Sequence, residues 1–229
     1  MPIISLSVYG SRAREDHSDE SDTDLFAITD DEQYAMIIEG STNIACYPLD
    51  QAISRAEGGD LFFLHITTEG KPIYDPTGVF PKIQKHFCKK PNYSTEINNA
   101  SDLGYALIAH SEHINNYYLL NKRLAWCLRT ILIAKSAEMN RPTFSKEGLS
   151  RLFDDKTLIN LISLKDCQSF ASKAYPLFRS AFITYGAPPK KDLPNDTNAL
   201  ADYFLKSENT MGVKTARLLN RDINSESYD

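Results

Sequence analysis

The apolar positions in the first third of the chain form short runs, separated by Gly, Pro or acidic residues. Runs of this length and composition are typical of strands in a small sheet. We predict strands at five places: residues 3–9, 25–29, 34–38, 42–47 and 73–76. Residues 49–57 fit a short helix. Residues 61–69 fit either a helix or a strand, because the run is short and apolar.

From about Ser94 the pattern changes to longer stretches in which apolar residues recur at every third or fourth position. This spacing predicts amphipathic helices. We predict them over residues 102–116, 117–139, 146–153, 156–164, 166–185 and 199–220. The sequence therefore predicts an α+β protein, with a small mixed-sheet domain over residues 1–92, a helical bundle over 93–220 and a flexible tail over 221–229.

Composition narrows the class of protein. The net charge of −5 argues against a protein that holds duplex DNA through a general basic surface. The four cysteines are scattered without a Cys-x-x-Cys pair, which is typical of a reducing cytosol. The most apolar stretch, Leu124 to Ala134, is interrupted by Arg129 and is too short to span a bilayer. We expect a cytoplasmic protein without membrane insertion.

Two polar segments lie between the first two predicted strands. Gly10-Ser11 ends the first strand, and Ser21-Asp22-Thr23-Asp24-Leu25 leads into the second. Because side chains two residues apart in a strand point to the same face, Asp22 and Asp24 can reach one metal cluster. Carboxylates suit Mg²⁺, a hard cation that prefers oxygen ligands.

The turn between these segments carries groups that bind phosphate. Gly10 lets the backbone approach a phosphate closely, and Ser11 offers a hydroxyl and an N–H. Arg12 and Arg14 follow, and a guanidinium can bind phosphate oxygens through two parallel hydrogen bonds. Together the segments predict a site for a nucleoside triphosphate and its metal ions. In nucleotidyl transfer, two Mg²⁺ ions about 3.5–4 Å apart clamp the attacking and leaving oxygens.

In order and spacing, Gly10-Ser11 followed by Ser21-Asp22-Thr23-Asp24-Leu25 resembles the signature of the DNA polymerase β-type nucleotidyltransferase superfamily. These two segments are most similar in sequence to those of prokaryotic minimal and antibiotic-type nucleotidyltransferases. Residues 61–75 resemble the segment that closes their catalytic domain. The resemblance covers residues 3–76 and implies that residues 1–92 are a nucleotidyltransferase catalytic domain. A helical partner domain after it is also usual in the superfamily.

The resemblance implies a role for each residue of the two segments. Asp22 and Asp24 would bind two Mg²⁺ ions, with Mn²⁺ as an alternative. An NTP such as ATP, or a dNTP, would be held by Gly10, Ser11, Arg12, Arg14 and Ser21. We add Lys122, on a predicted helix, as a contact to the triphosphate.

One position departs from the superfamily pattern. The family usually adds a third carboxylate from a following strand, and the matching position here is Asn43. An amide is a neutral, weaker metal ligand and a poor base. Three interpretations stay open: catalysis by Asp22 and Asp24 with Asn43, recruitment of another acid such as Glu39, or a degenerate enzyme that only binds nucleotide.

We therefore predict a Mg²⁺-dependent, template-independent nucleotidyltransferase that moves an NMP or dNMP to an acceptor hydroxyl and releases pyrophosphate. The acceptor hydroxyl would belong to a protein, to a growing single-stranded oligonucleotide or to an aminoglycoside-like small molecule. The competing hypothesis is a non-catalytic, antitoxin-like module that binds nucleotide. A protein partner or a homo-oligomer fits either hypothesis.

The end of the chain offers candidate acceptor hydroxyls at Ser225, Ser227 and Tyr228. Self-nucleotidylation or protein-primed oligonucleotide synthesis would need such a segment. Defence-associated nucleotidyltransferases of the Hailong type are thought to start short DNA chains on their own C-terminal residues. By this analogy we predict a role in prokaryotic antiviral defence, and an unstructured end is the alternative interpretation.

Overall fold

The chain divides into two compact units, Met1–Asn92 and Tyr93–Asp229. The structure, a computed structural model, describes residues 2–19 and 21–225, with side chains described as far as Asn220. The first unit contains a mixed sheet with helices, and the second unit is helical. The predicted fold class, α+β with a mixed sheet followed by a helical region, is confirmed.

Five described strands form one sheet, in the order β3-β4-β2-β1-β5. β2 pairs in parallel with β4, while the β1–β2, β1–β5 and β3–β4 pairs are antiparallel. Every predicted strand is present within a few residues of its expected bounds. The strands are β1 (Ile3–Tyr9), β2 (Thr23–Thr29), β3 (Ala35–Glu39), β4 (Thr42–Pro48) and β5 (Lys71–Tyr74).

The ambiguous run over residues 61–69 is a helix. Asp60 decides this locally, because its Oδ1 accepts hydrogen bonds from the N–H groups of Phe62 at 2.8 Å and Phe63 at 3.3 Å. Two further helices, α1 and α4, lie where no helix is predicted from the apolar pattern. The helices of this unit are α1 (Ser11–Arg14), α2 (Leu49–Glu57), α3 (Leu61–Glu69) and α4 (Val79–His86).

The core of the first unit lies between the sheet and its helices. Phe26 of β2 and Tyr47 of β4 contact Phe63 of α3, with ring centroids 5.7 Å and 5.3 Å from that of Phe63. Ile66 of α3 and Ile83 of α4 belong to the same buried cluster. Full burial of a large apolar side chain contributes about 1.5–3 kcal/mol, so this cluster fixes which face of the sheet points inward.

The second unit is built around the long helix α6, in which Leu120, Leu124, Leu128, Ile131 and Leu132 are fully buried. α5 and α9 pack against it. The helices of this unit are α5 (Ser94–Ala109), α6 (Tyr117–Glu138), α7 (Lys146–Leu152), α8 (Thr157–Ser163), α9 (Tyr175–Tyr185), α10 (Leu200–Lys206) and α11 (Thr210–Ser225). Over the described part of the chain, no helix has the length and apolar character needed to cross a membrane.

Three helix predictions in this unit need correction. The helix predicted over 102–116 lies over Ser94–Ala109. The helix predicted over 166–185 begins only at Tyr175, where Pro176 occupies the first turn, a position that proline favours. The helix predicted over 199–220 is two helices, interrupted at Glu208 with a positive φ of 54°.

The chain end also differs from expectation. α11 continues to Ser225, so the helix enters the segment predicted as a flexible tail over 221–229. The side chain of Ser225 and the residues Ser227 and Tyr228 lie outside the described residues. Their predicted acceptor role therefore stays a prediction.

The substitution Gly104→Ala tests how tightly the second unit is packed. A Cβ at Gly104 would lie 2.4 Å from Cε2 of Phe182, whose side chain is fully buried. Alanine favours a helix over glycine by about 1 kcal/mol, but overpacking a rigid core costs about 1–3 kcal/mol. The 2.4 Å clash places this cost near its upper end, so after the gain in helix propensity we expect Gly104→Ala to lower the free energy of unfolding by about 1–2 kcal/mol in urea denaturation.

The control is Asn98→Ala, an exposed position of the same helix. It should leave the free energy of unfolding unchanged or raise it slightly. A Gly104→Ala protein as stable as the wild type would contradict the close contact with Phe182.

Candidate active site

Three neighbouring strands place Tyr9, Asp24 and Asn43 in one row across the sheet. Asp24 of β2 pairs with Tyr9 of β1 on one side and with Asn43 of β4 on the other. Paired residues of adjacent strands point to the same face, so the side chains of Asp24 and Asn43 meet. Asn43 Nδ2 donates a hydrogen bond to Asp24 Oδ1 at 3.1 Å, and both residues are half-buried.

Gly10 brings the turn after β1 against the same carboxylate. Its φ of +73° lies in the region that L-residues with a side chain rarely adopt. A Cβ at Gly10 would lie 3.3 Å from Asp24 Oδ2, closer than an ordinary contact. Glycine is therefore needed here both for the backbone conformation and for the space beside Asp24. The structure thus brings together Gly10, Asp24 and Asn43, which the sequence motifs single out separately.

Ser21 and Asp22 lie in the loop just before β2. Asp22 is exposed. Ser21 is bound from two sides: its Oγ accepts a hydrogen bond from the Ser18 N–H at 3.0 Å, and its carbonyl accepts one from Arg12 Nη2 at 2.9 Å. Ser21 therefore shapes the loop that carries Asp22. Its predicted contact with a nucleotide stays a prediction.

The two predicted arginines differ in how their guanidinium groups are used. Besides its bond to Ser21, Arg12 has a buried Nε for which the described residues provide no hydrogen-bond partner. Arg14 is held by two carboxylates: Nε donates to Asp16 at 2.9 Å and Nη1 donates to Glu69 at 2.5 Å. The guanidinium of Arg14 is thus engaged by protein carboxylates, which makes Arg12 the better candidate of the two for a phosphate contact.

The two carboxylates that contact Arg14 also affect its pKa. Burial by itself would lower the pKa of Arg14, but the hydrogen bonds and negative charges of Asp16 and Glu69 outweigh it and raise the pKa. Arg14 therefore stays charged and paired. The loop between α1 and β2, residues 15–22, carries five acidic residues and no Lys or Arg, so with Arg14 paired it is strongly acidic, which suits metal ions better than free phosphate.

His65 and Glu69 lie beside the site. Both belong to the segment over residues 61–75, for which the sequence resemblance predicts no site role. Glu69 Oε2 contacts His65 Nε2 at 2.7 Å in addition to Arg14. The His65 ring packs edge-on against Tyr9, with centroids 5.3 Å apart. The signal that could have found this pair is the spacing of four residues between His65 and Glu69, but it becomes informative only once the run is known to be a helix.

The alternative acid Glu39 does not lie with this group. Glu39 of β3 pairs with Thr42, the residue before Asn43. Because successive residues of a strand alternate between faces, Glu39 lies on the opposite face of the sheet from Asp24 and Asn43. It is also exposed. The sheet register therefore argues against Glu39 as the replacement for the third carboxylate.

Lys122 belongs to α6 in the second unit. It is exposed, and its Nζ donates to Tyr118 Oη at 3.1 Å while lying 5.0 Å from the centroid of the same ring. Both contacts are made within its own helix. Its predicted contact with a triphosphate stays a prediction.

The donor set at the row of Asp24 fits a hard cation. Asp22, Asp24 and Asn43 offer carboxylate and amide oxygens, which Mg²⁺ prefers. Among the side chains of residues 2–19 and 21–220, no three His, Cys, Asp or Glu are grouped as a metal site. A metal held here would rest on two carboxylates. The amide oxygen of Asn43, water and the phosphate oxygens of a nucleotide would complete its coordination.

Comparisons with known proteins add little to this geometry. No protein-family model matches the chain, and no curated protein matches it. Among solved structures, the chain is similar to a nucleotidyltransferase-like protein from Exiguobacterium sibiricum 255-15 at 14% identity. The alignment covers 90% of this chain and 86% of that one, with a TM-score of 0.28. A likeness this low carries no argument about the site, so the functional case rests on the residues themselves.

The contact between Asn43 and Asp24 makes a pH-dependent prediction. Asn43→Asp replaces the hydrogen-bond donor with a second carboxylate that faces Asp24. Repulsion raises the pKa of one carboxyl of the pair in the folded state, so the variant is destabilised at neutral pH and recovers as the pH falls. We expect a loss of about 1–2 kcal/mol at neutral pH that shrinks towards about pH 5, measured by thermal unfolding.

Asn98→Asp is the matched control, because it makes the same charge change at an exposed position of α5. Its difference from the wild type should not depend on pH in this range. A loss of stability that is the same for both variants, or that does not shrink on acidification, would contradict the contact between Asn43 and Asp24.

Proposed function

We propose that this protein is a Mg²⁺-dependent, template-independent nucleotidyltransferase. It transfers an NMP or dNMP from a nucleoside triphosphate to an acceptor hydroxyl and releases pyrophosphate. The observation that carries the proposal is the approach of the Gly10 turn to Asp24, with the absent Cβ leaving space 3.3 Å from Asp24 Oδ2. A phosphate at this turn would lie beside the carboxylate that binds its metal ion.

Each residue has a task in this proposal. Asp22 and Asp24 hold the metal ions, and Asn43 keeps Asp24 oriented through its hydrogen bond. The triphosphate is held at the Gly10 turn by the Ser11 hydroxyl and by Arg12, whose Nε has no hydrogen-bond partner among the described residues. When bound, the metal ions supply positive charge that stabilises the attacking and leaving oxygens.

The acceptor is the less constrained half of the proposal. We favour a hydroxyl of a protein or of a growing single-stranded oligonucleotide, because the net charge of −5 does not favour a surface that holds duplex nucleic acid. Ser225, Ser227 and Tyr228 are the candidate acceptors within this chain. A self-modifying enzyme of this kind would fit the proposed role in prokaryotic defence.

A second function is supported by one specific observation. Asn43 occupies the position at which the resemblance calls for a third carboxylate, and its amide already satisfies Asp24 without a metal. A protein that has lost a metal ligand in this way could bind nucleotide without turnover. A nucleotide-binding assay beside an assay of transfer distinguishes this non-catalytic module from the enzyme.

Replacement of the aspartates tests the enzyme. The purified protein is incubated with Mg²⁺ and each NTP and dNTP labelled at the α-phosphate, and label transfer and pyrophosphate release are measured. We expect Asp22→Ala and Asp24→Ala to reduce transfer by at least about 100-fold, because each removes a metal ligand. Chelation of the metal should have the same effect.

Asp19→Ala is the matched control, since Asp19 is an exposed acid of the same loop. Glu39→Ala serves as a second control, because Glu39 lies on the other face of the sheet. Both should retain wild-type transfer. Transfer that survives Asp24→Ala would place the site elsewhere, and nucleotide binding without transfer to any acceptor would support the non-catalytic module.

The C-terminal hydroxyls are tested by intact mass. If the chain modifies itself, mass spectrometry after incubation with nucleotide should show additions in steps of one nucleoside monophosphate. The triple variant Ser225→Ala, Ser227→Ala and Tyr228→Phe should lack them while keeping the same unfolding temperature. Additions that persist in the triple variant would place the acceptor outside this segment.

A further inference from the structure

The short helix α1 cannot hold its own position. It contains four residues, Ser11–Arg14, and Gly10 at its start provides no side-chain cap. A single helical turn is unstable by itself, because nucleation fixes several residues in return for few hydrogen bonds. Its position must therefore be set by contacts with the rest of the unit. This matters because α1 directly follows the turn at Gly10.

Three contacts attach α1 to its surroundings. Ala13 is buried. Arg12 donates to the Ser21 carbonyl at 2.9 Å and so connects α1 to the loop that carries Asp22. Arg14 donates to Glu69 at 2.5 Å and so connects α1 to the end of α3. The position of α1 therefore affects both halves of the candidate site, the Gly10 turn and the Asp22 loop.

Glu69 lies at a position of α3 that is unfavourable for a negative charge. It is the last residue of α3, and the C-terminal end of a helix disfavours negative charge. Its side chain is only 13% exposed, so ionisation there also carries a desolvation cost. Arg14 and His65 offset this cost by donating to or pairing with Oε2. The contact with His65 lies within α3, whereas the contact with Arg14 reaches α1, so Glu69 anchors Arg14 in addition to pairing within its own helix.

His65 extends this anchor to the strand that carries the site. Its Nε2 lies 2.7 Å from Glu69 Oε2, and its ring packs on Tyr9. Tyr9 immediately precedes Gly10 and pairs with Asp24. The side chains of Arg14, Glu69, His65 and Tyr9 thus form a continuous chain of contacts around the turn.

We propose that Glu69 is a positioning residue for nucleotide binding, which acts through Arg14 to fix α1 and the Gly10–Ser11 turn. The inference rests on the proposed function, and it assigns Arg14 to the scaffold of the turn. In this role Arg14 does not contact the triphosphate. Loss of Glu69 leaves Asp24 and Asn43 in place, because the sheet register sets them, and releases α1 with the turn that holds the phosphates. Nucleotide binding is therefore impaired more than the transfer step.

The chain offers a matched control for this ion pair. Lys71 Nζ lies 3.2 Å from Glu15 and also joins the segment after α1 to the segment after α3. The side chains of Lys71 and Glu15 are 58% and 79% exposed, so this ion pair contributes little to stability. Glu69→Ala, Glu69→Gln and Glu15→Gln are compared with the wild type in two measurements.

The first measurement is hydrogen–deuterium exchange of a peptide that spans residues 10–22, without nucleotide. We expect faster exchange in Glu69→Ala, an intermediate rate in Glu69→Gln, which keeps an acceptor oxygen, and the wild-type rate in Glu15→Gln. The second measurement is steady-state transfer at saturating Mg²⁺. We expect KM for the nucleotide to rise about tenfold in Glu69→Ala with a smaller change in kcat.

Combining Arg14→Ala with Glu69→Ala should raise KM no further than Glu69→Ala does alone, because the two residues act as one pair. Wild-type exchange in Glu69→Ala, or faster exchange with an unchanged KM, would overturn the inference. A wild-type protein that neither binds nor uses any nucleotide would overturn the proposed function instead. The exchange measurement would then still decide whether Glu69 fixes the turn.

Discussion

The pairing of β2 with a strand on each side is the constraint on which the candidate site depends. β2 is antiparallel to β1 and parallel to β4, and the register of both pairs places Asp24 beside Tyr9 and Asn43. Side chains alternate along a strand, so a slip of one residue would turn Asp24 to the other face. The register of β2 therefore decides whether a site exists at all.

The register is held by the apolar core and not by the polar residues. Phe26 lies two positions after Asp24, on the same face, and is 1% exposed. It packs against Phe63 and Tyr47, and Tyr47 in turn lies four positions after Asn43. Burial of these rings fixes the inward face of β2 and β4 together. The polar ends of both strands are thereby carried to one edge of the core.

Asn43 gives this site its particular character. A third carboxylate at its position would repel Asp24 whenever no metal is bound, whereas the amide donates a hydrogen bond to it. The amide at this position therefore replaces charge repulsion with a hydrogen bond to Asp24. The carboxylate of Glu69 is likewise contacted by two side chains, those of Arg14 and His65. In both arrangements a half-buried carboxylate receives hydrogen bonds from neighbouring side chains.

The sequence by itself determined the strands, the change to helices near Ser94, and the two segments that carry Gly10 and Asp24, because these depend on local periodicity and on turn residues. It left open the state of residues 61–69, which only the cap at Asp60 and burial against the sheet decide. It also misplaced helix bounds beyond residue 166, where a proline and a positive φ override the apolar pattern.

The partners of each side chain were decided by the tertiary structure alone. The contact of Asn43 with Asp24 and the pairing of Arg14 with Glu69 each join residues distant in sequence, and the β3–β4 register places Glu39 on the other face. Such contacts depend on strand order and register, which the core sets through shape and burial. A single sequence encodes them only through the whole fold, and so its motifs could identify the residues of the site but not their arrangement.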